Sequence, residues 1–205
     1  AQALITTLSD LGIEYVFGYS GGAALPIFDA LETVESDIKF VLSRHEQGAC
    51  HMADGYARAT GKPAVVLVTS GPGAGNTITG IMTAHMDSIP MIVISGQQVT
   101  WMLGKDAFQE ADTFGLTMPI VKHNYLVRET NDLPRAAKEA YHIATTGRPG
   151  PVLVDIPKDV SQSEFNGDLN PEINLPGYDI ESAFNIDKEA VKKAAEIISH
   201  ATKPV

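Results

Sequence analysis

Short runs of Val, Ile and Leu alternate with segments of helical periodicity along most of this chain of 205 residues. Such alternation is typical of a parallel β-sheet whose strands are connected by crossover helices. The strands are predicted at Tyr15–Phe17, Ile38–Leu42, Ala64–Thr69, Met91–Ser95, Asn124–Val127 and Val152–Ile156. The helices are predicted at Ala1–Leu11, Leu25–Leu31, Gln47–Thr60, Asn76–Met86, Leu133–Thr145 and Lys188–His200. The sequence therefore predicts an α/β fold, in which a parallel sheet of about six strands carries helices on both faces.

The composition changes after Val160. Residues 161–179 are polar and contain several Asn, Gly, Asp and Pro residues, which is typical of a surface linker. Asp187 is predicted to be the N-cap of a helix that buries one apolar face. We predict a first domain over residues 1–160, a linker over residues 161–186 and the start of a second domain over residues 187–205. Because residue 1 is not Met and Lys203–Val205 resembles the beginning of a strand, we expect the chain to be a piece of a longer protein.

Charge and cysteine content limit the classes of partner. The formal net charge of −10 argues against a nucleic-acid-binding surface, which needs clustered Lys and Arg. No stretch is apolar for long enough to cross a membrane, so neither nucleic acid nor a membrane is predicted as a partner. Cys50 is the only cysteine, which excludes an intrachain disulfide and fits a reducing compartment such as the cytoplasm. The six histidines share no ligand spacing, and no metal site is predicted within this chain.

Four polar or glycine-rich segments follow directly after predicted strands. In a parallel sheet the carboxyl ends of the strands meet at one edge, and ligands of open α/β sheets bind there. The segments are Gly18–Gly22, Arg44–Gln47, Thr69–Asn76 and Ser95–Gln98. In the second segment, Glu46 places a carboxylate where a buried strand becomes a helix, which is costly unless the carboxylate is paired. Glu46 is therefore either a site residue or a solvent-exposed glutamate stabilised by the helix dipole.

The glycine-rich turn Thr69–Asn76 invites comparison with nucleotide-binding loops. A phosphate loop of the Lys-containing type needs Gly-Lys-Ser/Thr after the turn, whereas Asn76 and Thr77 stand here. A dinucleotide fingerprint follows the first strand and reads G-x-G-x-x-G, whereas this turn follows the third strand and reads G-x-G-x-G. A nicotinamide-dependent dehydrogenase is therefore disfavoured. The turn is either a general phosphate-binding loop or a tight connection from strand to helix.

Several motifs together resemble one known family. Arg44–Ala49 and Ala53–Gly61 resemble the pyrimidine-binding domain of thiamine-diphosphate enzymes, which would then occupy residues 1–160. The resemblance is narrowed to the large subunits of the biosynthetic acetohydroxyacid synthase (acetolactate synthase) family by Thr69–Gly73, Asn76, Asp106–Glu110, Lys122–Val127 and Gly147–Val160. The chain departs from the family pattern at Ser20, where proline is usual, and around Trp101, where Pro and Arg are frequent. The second departure bears on the shape of the substrate channel and on inhibitor sensitivity.

The resemblance implies a role for each matching residue. Glu46 would hydrogen-bond the aminopyrimidine ring of the cofactor and take part in the proton relay that activates it, and Gln109 is also implied to be catalytic. The implied cofactor-binding residues are Tyr19, Gly21, Gly22, Glu46, Thr69, Pro72, Asn76, Gln109, Asp87 and Arg148, the last two toward FAD. Phe108 and Lys158 would line the substrate channel.

The resemblance also implies a reaction and an assembly. Two 2-keto acids would condense with loss of CO₂ to give 2-acetolactate or 2-aceto-2-hydroxybutyrate, in the biosynthesis of valine and isoleucine. The implied cofactors are thiamine diphosphate shared with a partner subunit, Mg²⁺ held by a domain absent from this chain, and a mainly structural FAD. The implied assembly is a homodimer or homotetramer with a small regulatory subunit, in the cytoplasm or, in a eukaryote, in a plastid or mitochondrion.

Two further consequences concern the chain by itself and the rival functions. Because the diphosphate site lies on another domain and the cofactor is shared between subunits, the chain alone is expected to be inert. The alternatives are another thiamine-diphosphate enzyme, such as pyruvate oxidase or the catabolic acetolactate synthase, and a non-catalytic binding module with the same fold. Retention of Glu46 favours the catalytic alternatives over the binding module.

Overall fold

The computed structural model of the protein describes residues 1–178 and 186–203, and its centre is a six-stranded sheet. The strands are β1 (Tyr15–Gly18), β2 (Lys39–Leu42), β3 (Ala64–Val68), β4 (Met91–Gln97), β5 (His123–Leu126) and β6 (Pro151–Pro157). Every neighbouring pair is parallel, and the order across the sheet is β2-β1-β3-β4-β6-β5. The predicted parallel α/β fold is therefore confirmed, and the predicted strand boundaries differ from the observed ones by one or two residues.

Helices cover both faces of the sheet. Their bounds are α1 (Gln2–Asp10), α2 (Leu25–Thr33), α3 (Glu46–Thr60), α4 (Pro72–Gly75), α5 (Ile78–Met86), α6 (Thr113–Thr117), α7 (Leu133–Thr145), α8 (Lys158–Gln162) and α9 (Lys188–His200). Alternate residues of β3 point to opposite faces: Val65 and Leu67 pack with α1, α2 and α7, whereas Val66 and Val68 pack with α3 and α5. All residues of β3, β4 and β6 are buried, which explains why these strands read as near-continuous apolar runs.

The strand order reverses direction between β1 and β3. The chain leaves β1 toward β2 on one side, and it leaves β3 toward β4 on the other side. Gly18 at the end of β1 is in register with Leu42 of β2 and Leu67 of β3, so the carboxyl ends of the three strands lie together. A crevice at such a reversal point is the usual ligand site of an open α/β sheet.

Helix α2 begins directly over the carboxyl end of β4. A Cβ atom built on Gly96 would lie 2.8 Å from both the carbonyl carbon of Ala23 and the backbone nitrogen of Ala24. A similar approach joins the other face, where a Cβ built on Gly80 of α5 would overlap the Cβ of Cys50 in α3. Glycine at these two positions therefore allows the helices to reach their positions against the sheet and against each other.

The chain beyond β6 lies on the surface of this domain. After α8, residues 163–165 lie beside the cavity between α1 and α2, and the chain then reaches α7, where Lys138 Nζ donates hydrogen bonds to Asn170 Oδ1 (2.7 Å) and to the Pro171 carbonyl oxygen (2.7 Å). The first two residues of the predicted linker, Ser161 and Gln162, belong to α8, and Ser161 is buried rather than at the surface. The proposed domain boundaries at residues 160 and 186 remain predictions.

The last described helix differs from its prediction in one respect. Asp187 is confirmed as its N-cap, because Oδ1 accepts hydrogen bonds from the backbone N–H groups of Glu189 (3.0 Å) and Ala190 (3.1 Å). All residues of α9 are exposed, so the apolar face that was predicted to be buried has no covering partner among the described residues. The predicted strand start at Lys203–Val205 lies partly outside the described residues.

Candidate functional site

The carboxylate of Glu46 is buried at the first position of α3, directly after β2. Its side chain is only 8% exposed, so the alternative of a solvated glutamate at a helix start is wrong. The helix can begin at this residue because the ring nitrogen Nδ1 of His45 accepts a hydrogen bond from the backbone N–H of Gln47 (3.1 Å). His45 is therefore the N-cap of α3, in place of the more usual Ser or Asp, and the Glu46 carboxylate is not needed as a cap.

Asn76 holds one oxygen of this carboxylate. Its side-chain Nδ2 donates a hydrogen bond to Glu46 Oε2 over 2.9 Å. Within the described part of the chain, Asn76 is the only hydrogen-bond donor to Glu46, so Oε1 has no protein donor and faces Gly73. A Cβ built on Gly73 would lie 3.4 Å from Oε1, which shows how closely the glycine-rich turn approaches the carboxylate. Although most of Glu46 is buried, Oε1 itself retains access to solvent and is therefore available to a ligand.

Thr69 joins the glycine-rich turn to the loop after β1. Its Oγ1 accepts a hydrogen bond from the backbone N–H of Ala23 (3.3 Å), and a Cβ built on Gly21 would lie 2.5 Å from the Thr69 Cβ. A Cβ built on Gly73 would lie 2.7 Å from the Thr69 Cγ2. The structure therefore brings together five of the predicted site residues: Gly21, Glu46, Thr69, Asn76 and, at the first position of α4, Pro72. We call these five residues and Gly73 the Glu46 cluster.

The loop after β4 approaches the same glycine-rich turn through Gln109. Gly71 has φ +58°, and a Cβ built on it would overlap the Gln109 carbonyl oxygen and lie 2.8 Å from its carbonyl carbon. Gln109 itself has φ +56°, a left-handed conformation that costs about 1–2 kcal/mol for a residue with a side chain. Such strain is retained where the surrounding structure fixes the backbone, as it does at many functional sites.

The other residues predicted for the cofactor pocket and the channel are not all brought to this cluster. Tyr19 is partly exposed and its backbone N–H donates to the Leu67 carbonyl oxygen (3.2 Å), whereas Gly22 has open space around its Cα. Phe108 is 82% exposed, and its carbonyl oxygen accepts a hydrogen bond from Gln98 Nε2. Lys158 lines a cavity of about 840 Å³ between α1, α2 and α8. None of the residues of the Glu46 cluster lines that cavity, and neither does Phe108.

Asp87 and Arg148 lie at the opposite edge of the sheet. Asp87 follows α5 and precedes β4, and its Oδ2 accepts a hydrogen bond from Arg58 Nη2 (2.6 Å). Arg148 precedes β6 and donates from Nε to the Ser88 hydroxyl (2.7 Å) and from Nη2 to the Met86 carbonyl oxygen (3.2 Å). The structure therefore places these two residues near each other, but it does not bring them to the Glu46 cluster.

A second buried carboxylate, on β6, was not among the predicted site residues. Asp155 Oδ1 accepts a hydrogen bond from Ser95 Oγ (2.6 Å), and Oδ2 accepts one from Gln97 Nε2 (2.9 Å). Burial raises the pKa of Asp155, and the nearby carboxylate of Asp112 also raises it, whereas the two hydrogen bonds lower it. The net result is a pKa of about 7. The signal was present in the sequence, because Asp155 interrupts the apolar run of β6 just as Glu46 follows that of β2.

A third carboxylate, that of Asp159, binds the loop that follows β4. Asp159 of α8 accepts hydrogen bonds from the Thr100 backbone N–H (2.9 Å, Oδ1) and from the Thr100 hydroxyl (2.6 Å, Oδ2). No group of three or more His, Cys, Asp or Glu residues in ranges 1–178 and 186–203 is arranged to hold a metal ion. Of the helices in these ranges, none is both long and apolar enough to cross a membrane.

The free thiol of Cys50 is buried on α3, the helix that begins at Glu46. Burial is the main cause that raises the pKa of this thiol to about 12, and the charge of Glu46 is the second.

Comparison with known proteins agrees with this site. Residues 1–116 match the family described as thiamine pyrophosphate enzyme, N-terminal TPP binding domain. The chain therefore belongs to the thiamine pyrophosphate enzymes. The matched segment contains the whole Glu46 cluster and Gln109, but it ends before β6, which lies between β4 and β5 in the sheet.

Within this family the chain is similar to acetolactate synthase large subunits. It is 52% identical over 205 residues to the large subunit of Lactococcus lactis, and 51% identical over 213 residues to the isozyme 3 large subunit of Escherichia coli. These matches cover 100% of this chain and 35% and 36% of the two relatives, so the chain spans about a third of their length. Among solved structures, the thiamine diphosphate-dependent 4-hydroxybenzoylformate decarboxylase of Rhodococcus jostii matches with a TM-score of 0.83 and 28% identity, over 100% of this chain and 38% of that chain.

Proposed function

We propose that this chain supplies the pyrimidine-binding part of an acetolactate synthase. The complete protein would condense two 2-keto acids with loss of CO₂, to give 2-acetolactate or 2-aceto-2-hydroxybutyrate. The observation that carries the proposal is the buried Glu46 residue, which Asn76 holds at the reversal point of the sheet. Its second carboxylate oxygen has no donor in the part of the chain that the structure describes. Identity of about half to acetolactate synthase large subunits over the full chain supports the choice of this reaction within the family.

The residues present fit thiamine diphosphate. Gly21 and Gly73 allow their loops to pack closely against Thr69 beside Glu46, and the open space at Gly22 leaves room for a flat heteroaromatic ring. Oε1 of Glu46 would hold the aminopyrimidine ring by a hydrogen bond and exchange a proton with it, and the burial of most of the Glu46 residue strengthens such a bond. When bound, thiamine diphosphate supplies the nucleophile and the electron sink that the loss of CO₂ from a 2-keto acid requires.

The chain's own residues would then orient the carboxylate and limit access to it. Asn76 fixes the orientation of Glu46 through Oε2, so that the proton is exchanged at Oε1 only. The exposed ring of Phe108 and the side chain of Gln109 extend from the neighbouring loop and are available to contact the substrate. Lys158 is proposed to line the route by which substrate arrives.

The remaining parts of the proposal concern groups and chains outside these residues. Mg²⁺ and the diphosphate of the cofactor are assigned to another domain, and a mainly structural FAD is assigned in part to Asp87 and Arg148. The complete protein is proposed to form a homodimer or homotetramer, to bind a small regulatory subunit, and to reside in the cytoplasm or in a plastid or mitochondrion. The large-subunit descriptions of the relatives support the regulatory partner.

The proposal is tested with the complete protein that contains this chain. Glu46→Gln keeps the size and burial of the side chain but removes its ability to exchange a proton, so the rate of 2-acetolactate formation from pyruvate should fall by about a hundredfold or more. The matched control is Glu139→Gln on α7, because Glu139 is also 8% exposed but lies outside the Glu46 cluster. The proposal fails if Glu46→Gln keeps near-normal activity at saturating cofactor.

The same assay separates the rival functions. Formation of acetyl phosphate or of acetaldehyde in place of 2-acetolactate would identify another thiamine-diphosphate enzyme, such as pyruvate oxidase or a simple decarboxylase. Full activity after removal of FAD would favour the catabolic acetolactate synthase. Binding of thiamine diphosphate without turnover of any 2-keto acid would favour a non-catalytic binding module.

A further inference from the structure

The loop of residues 98–111 connects β4 to α6. One carboxylate holds its beginning directly, and a second acts on its end through Gln97; both carboxylates lie on another part of the chain. At its beginning, Asp159 accepts two hydrogen bonds from Thr100, one from the backbone N–H (2.9 Å) and one from the hydroxyl (2.6 Å). At its end, Gln97 Nε2 donates to the Ala111 carbonyl oxygen (3.0 Å) and also to Asp155 Oδ2 (2.9 Å). The two carboxylates belong to β6 and α8, which follow the loop in sequence.

The buried carboxylate of Asp155 fixes the orientation of Gln97. The Gln97 side chain must point its amide nitrogen at Asp155, and its Oε1 then accepts a hydrogen bond from the backbone N–H of Gln98 (2.8 Å). Ser95 Oγ donates to the other carboxylate oxygen of Asp155 (2.6 Å). Because Asp155 is 2% exposed, water cannot replace these partners, and the bonds of Gln97 to Ala111 and Gln98 keep its amide in one orientation in either protonation state of Asp155.

Within the loop, further contacts carry this constraint to Phe108 and Gln109. Gln98 Nε2 donates to the Phe108 carbonyl oxygen. Glu110 Oε2 accepts a hydrogen bond from the Ala107 backbone N–H (2.9 Å), which closes a tight turn around Phe108 and Gln109. The carbonyl group of Gln109 then packs against Gly71, beside the Glu46 cluster.

We propose that Asp155 and Asp159 are positioning residues, which hold the 98–111 loop at both ends and thereby set Phe108 and Gln109 relative to the Glu46 cluster. Neither carboxylate touches the cluster, so both act through the loop. The expected effect on the turnover of 2-keto acids rests on the function proposed above, whereas the expected effect on the order of the loop does not.

The loop can be observed without any enzyme assay, because Trp101 is the only tryptophan of the 205-residue chain. Trp101 lies next to Thr100 and is 63% exposed. In the 205-residue chain, Asp159→Ala and Asp155→Ala should raise acrylamide quenching of tryptophan fluorescence and lower its anisotropy. Asp155→Asn should restore the parent values, since an Asn can accept from Gln97 and donate to Ser95. Glu139→Gln, which removes a buried charge outside the loop, should leave both readings unchanged.

In the complete protein, the alanine variants should raise the KM for pyruvate and lower kcat by about 10- to 100-fold. Such a loss is expected when groups are misplaced by about 1 Å. Asp155→Asn should recover most of it. Parent-like fluorescence and parent-like KM in both alanine variants would overturn the proposal. If Trp101 becomes mobile in the alanine variants but their kinetics stay parent-like, the proposed positioning of Phe108 and Gln109 would be wrong. If the parent protein turns over no 2-keto acid but Trp101 still becomes mobile in the alanine variants, the anchoring of the loop would be supported. Only the proposed function would then fail.

Discussion

The side-chain amide of Asn76 donates a hydrogen bond to Oε2 of Glu46 over 2.9 Å, from the connection between α4 and α5 to the first residue of α3. This bond joins two of the four segments that follow the strands. Among the described residues, it leaves Glu46 with one oxygen bonded to the protein and the other without a donor. The arrangement is what a carboxylate needs if it is to serve a ligand without losing its own orientation.

Asn76→Asp is expected to destabilise the chain more than Asn76→Ala does. Loss of the hydrogen bond to a charged group should cost about 1.5–3 kcal/mol in Asn76→Ala. In Asn76→Asp, two carboxylates would face each other at hydrogen-bond distance, and one of them would have to take up a proton. Urea unfolding of the 205-residue chain measures both effects, with Asn166→Asp on the exposed surface as control. The extra loss in Asn76→Asp should shrink as the pH is lowered below about 5, whereas a pH-independent loss would contradict this account.

Gly71→Ala is expected to lower the free energy of unfolding by well over 2 kcal/mol. The new Cβ would meet the Gln109 carbonyl group, and the backbone would also be held at a φ of +58°. Gly104→Ala is the matched control, since Gly104 has φ +75° but open space around its Cα. It should cost only the conformational part, about 1 kcal/mol. Equal losses in the two variants, measured by urea unfolding, would show that Gln109 does not pack against Gly71.

Stability should depend on pH through Asp155. Burial raises the pKa of this carboxyl from its ordinary value of 3.8 to about 7, so the folded chain binds more protons than the unfolded chain between these values. The stabilising contribution of the protonated form is complete below the lower value and is lost as the pH rises through about 7. Asp155→Asn does not titrate, and its free energy of unfolding should therefore increase relative to the parent between about pH 4 and pH 7, by at most about 1.4 kcal/mol per pH unit, and the difference should level off above about pH 7. A constant difference across this range would contradict the raised pKa.

The 205-residue chain by itself should not bind thiamine diphosphate tightly, with or without Mg²⁺. The Glu46 cluster offers hydrogen-bond and backbone contacts to one ring, whereas the proposed function assigns the diphosphate to another domain. Isothermal titration calorimetry measures this directly. Binding at micromolar concentration would contradict the assignment of the diphosphate site, and the same titration of Glu46→Gln would show whether the bound cofactor lies at the predicted residue.

The strands and most helices could be predicted from the sequence because buried parallel strands leave uninterrupted apolar runs. The exceptions have local physical causes. β4 continues for two residues beyond Ser95 to Gln97, since Asp155 satisfies both polar side chains there, and this partner is distant in sequence. Helix α3 begins at Glu46 rather than Gln47, because a histidine acts as its cap.

The site could be predicted only in part. Residues in the segments that follow the strands were found because the carboxyl ends of parallel strands share one edge, and the contact of Glu46 with Asn76 agrees with that reasoning. The roles of Asp155 and Asp159 depend on the insertion of β6 between β4 and β5, which no local pattern records. The separation of Asp87 and Arg148 from the Glu46 cluster likewise follows from the positions of α5 and β6 in the fold rather than from their motifs.

The position of β6 in the sheet also affects the order in which the site can form during synthesis. The Glu46 cluster and Gln109 leave the ribosome first, but the strand that anchors the 98–111 loop is made last. At about 5–20 residues per second, the loop waits for several seconds without Asp155 and Asp159. During that time the neighbour of β4 in the sheet is missing, and the nascent chain exposes an unpaired apolar strand edge. A ribosome that pauses before β6 would therefore hold a half-built site and a surface that chaperones recognise.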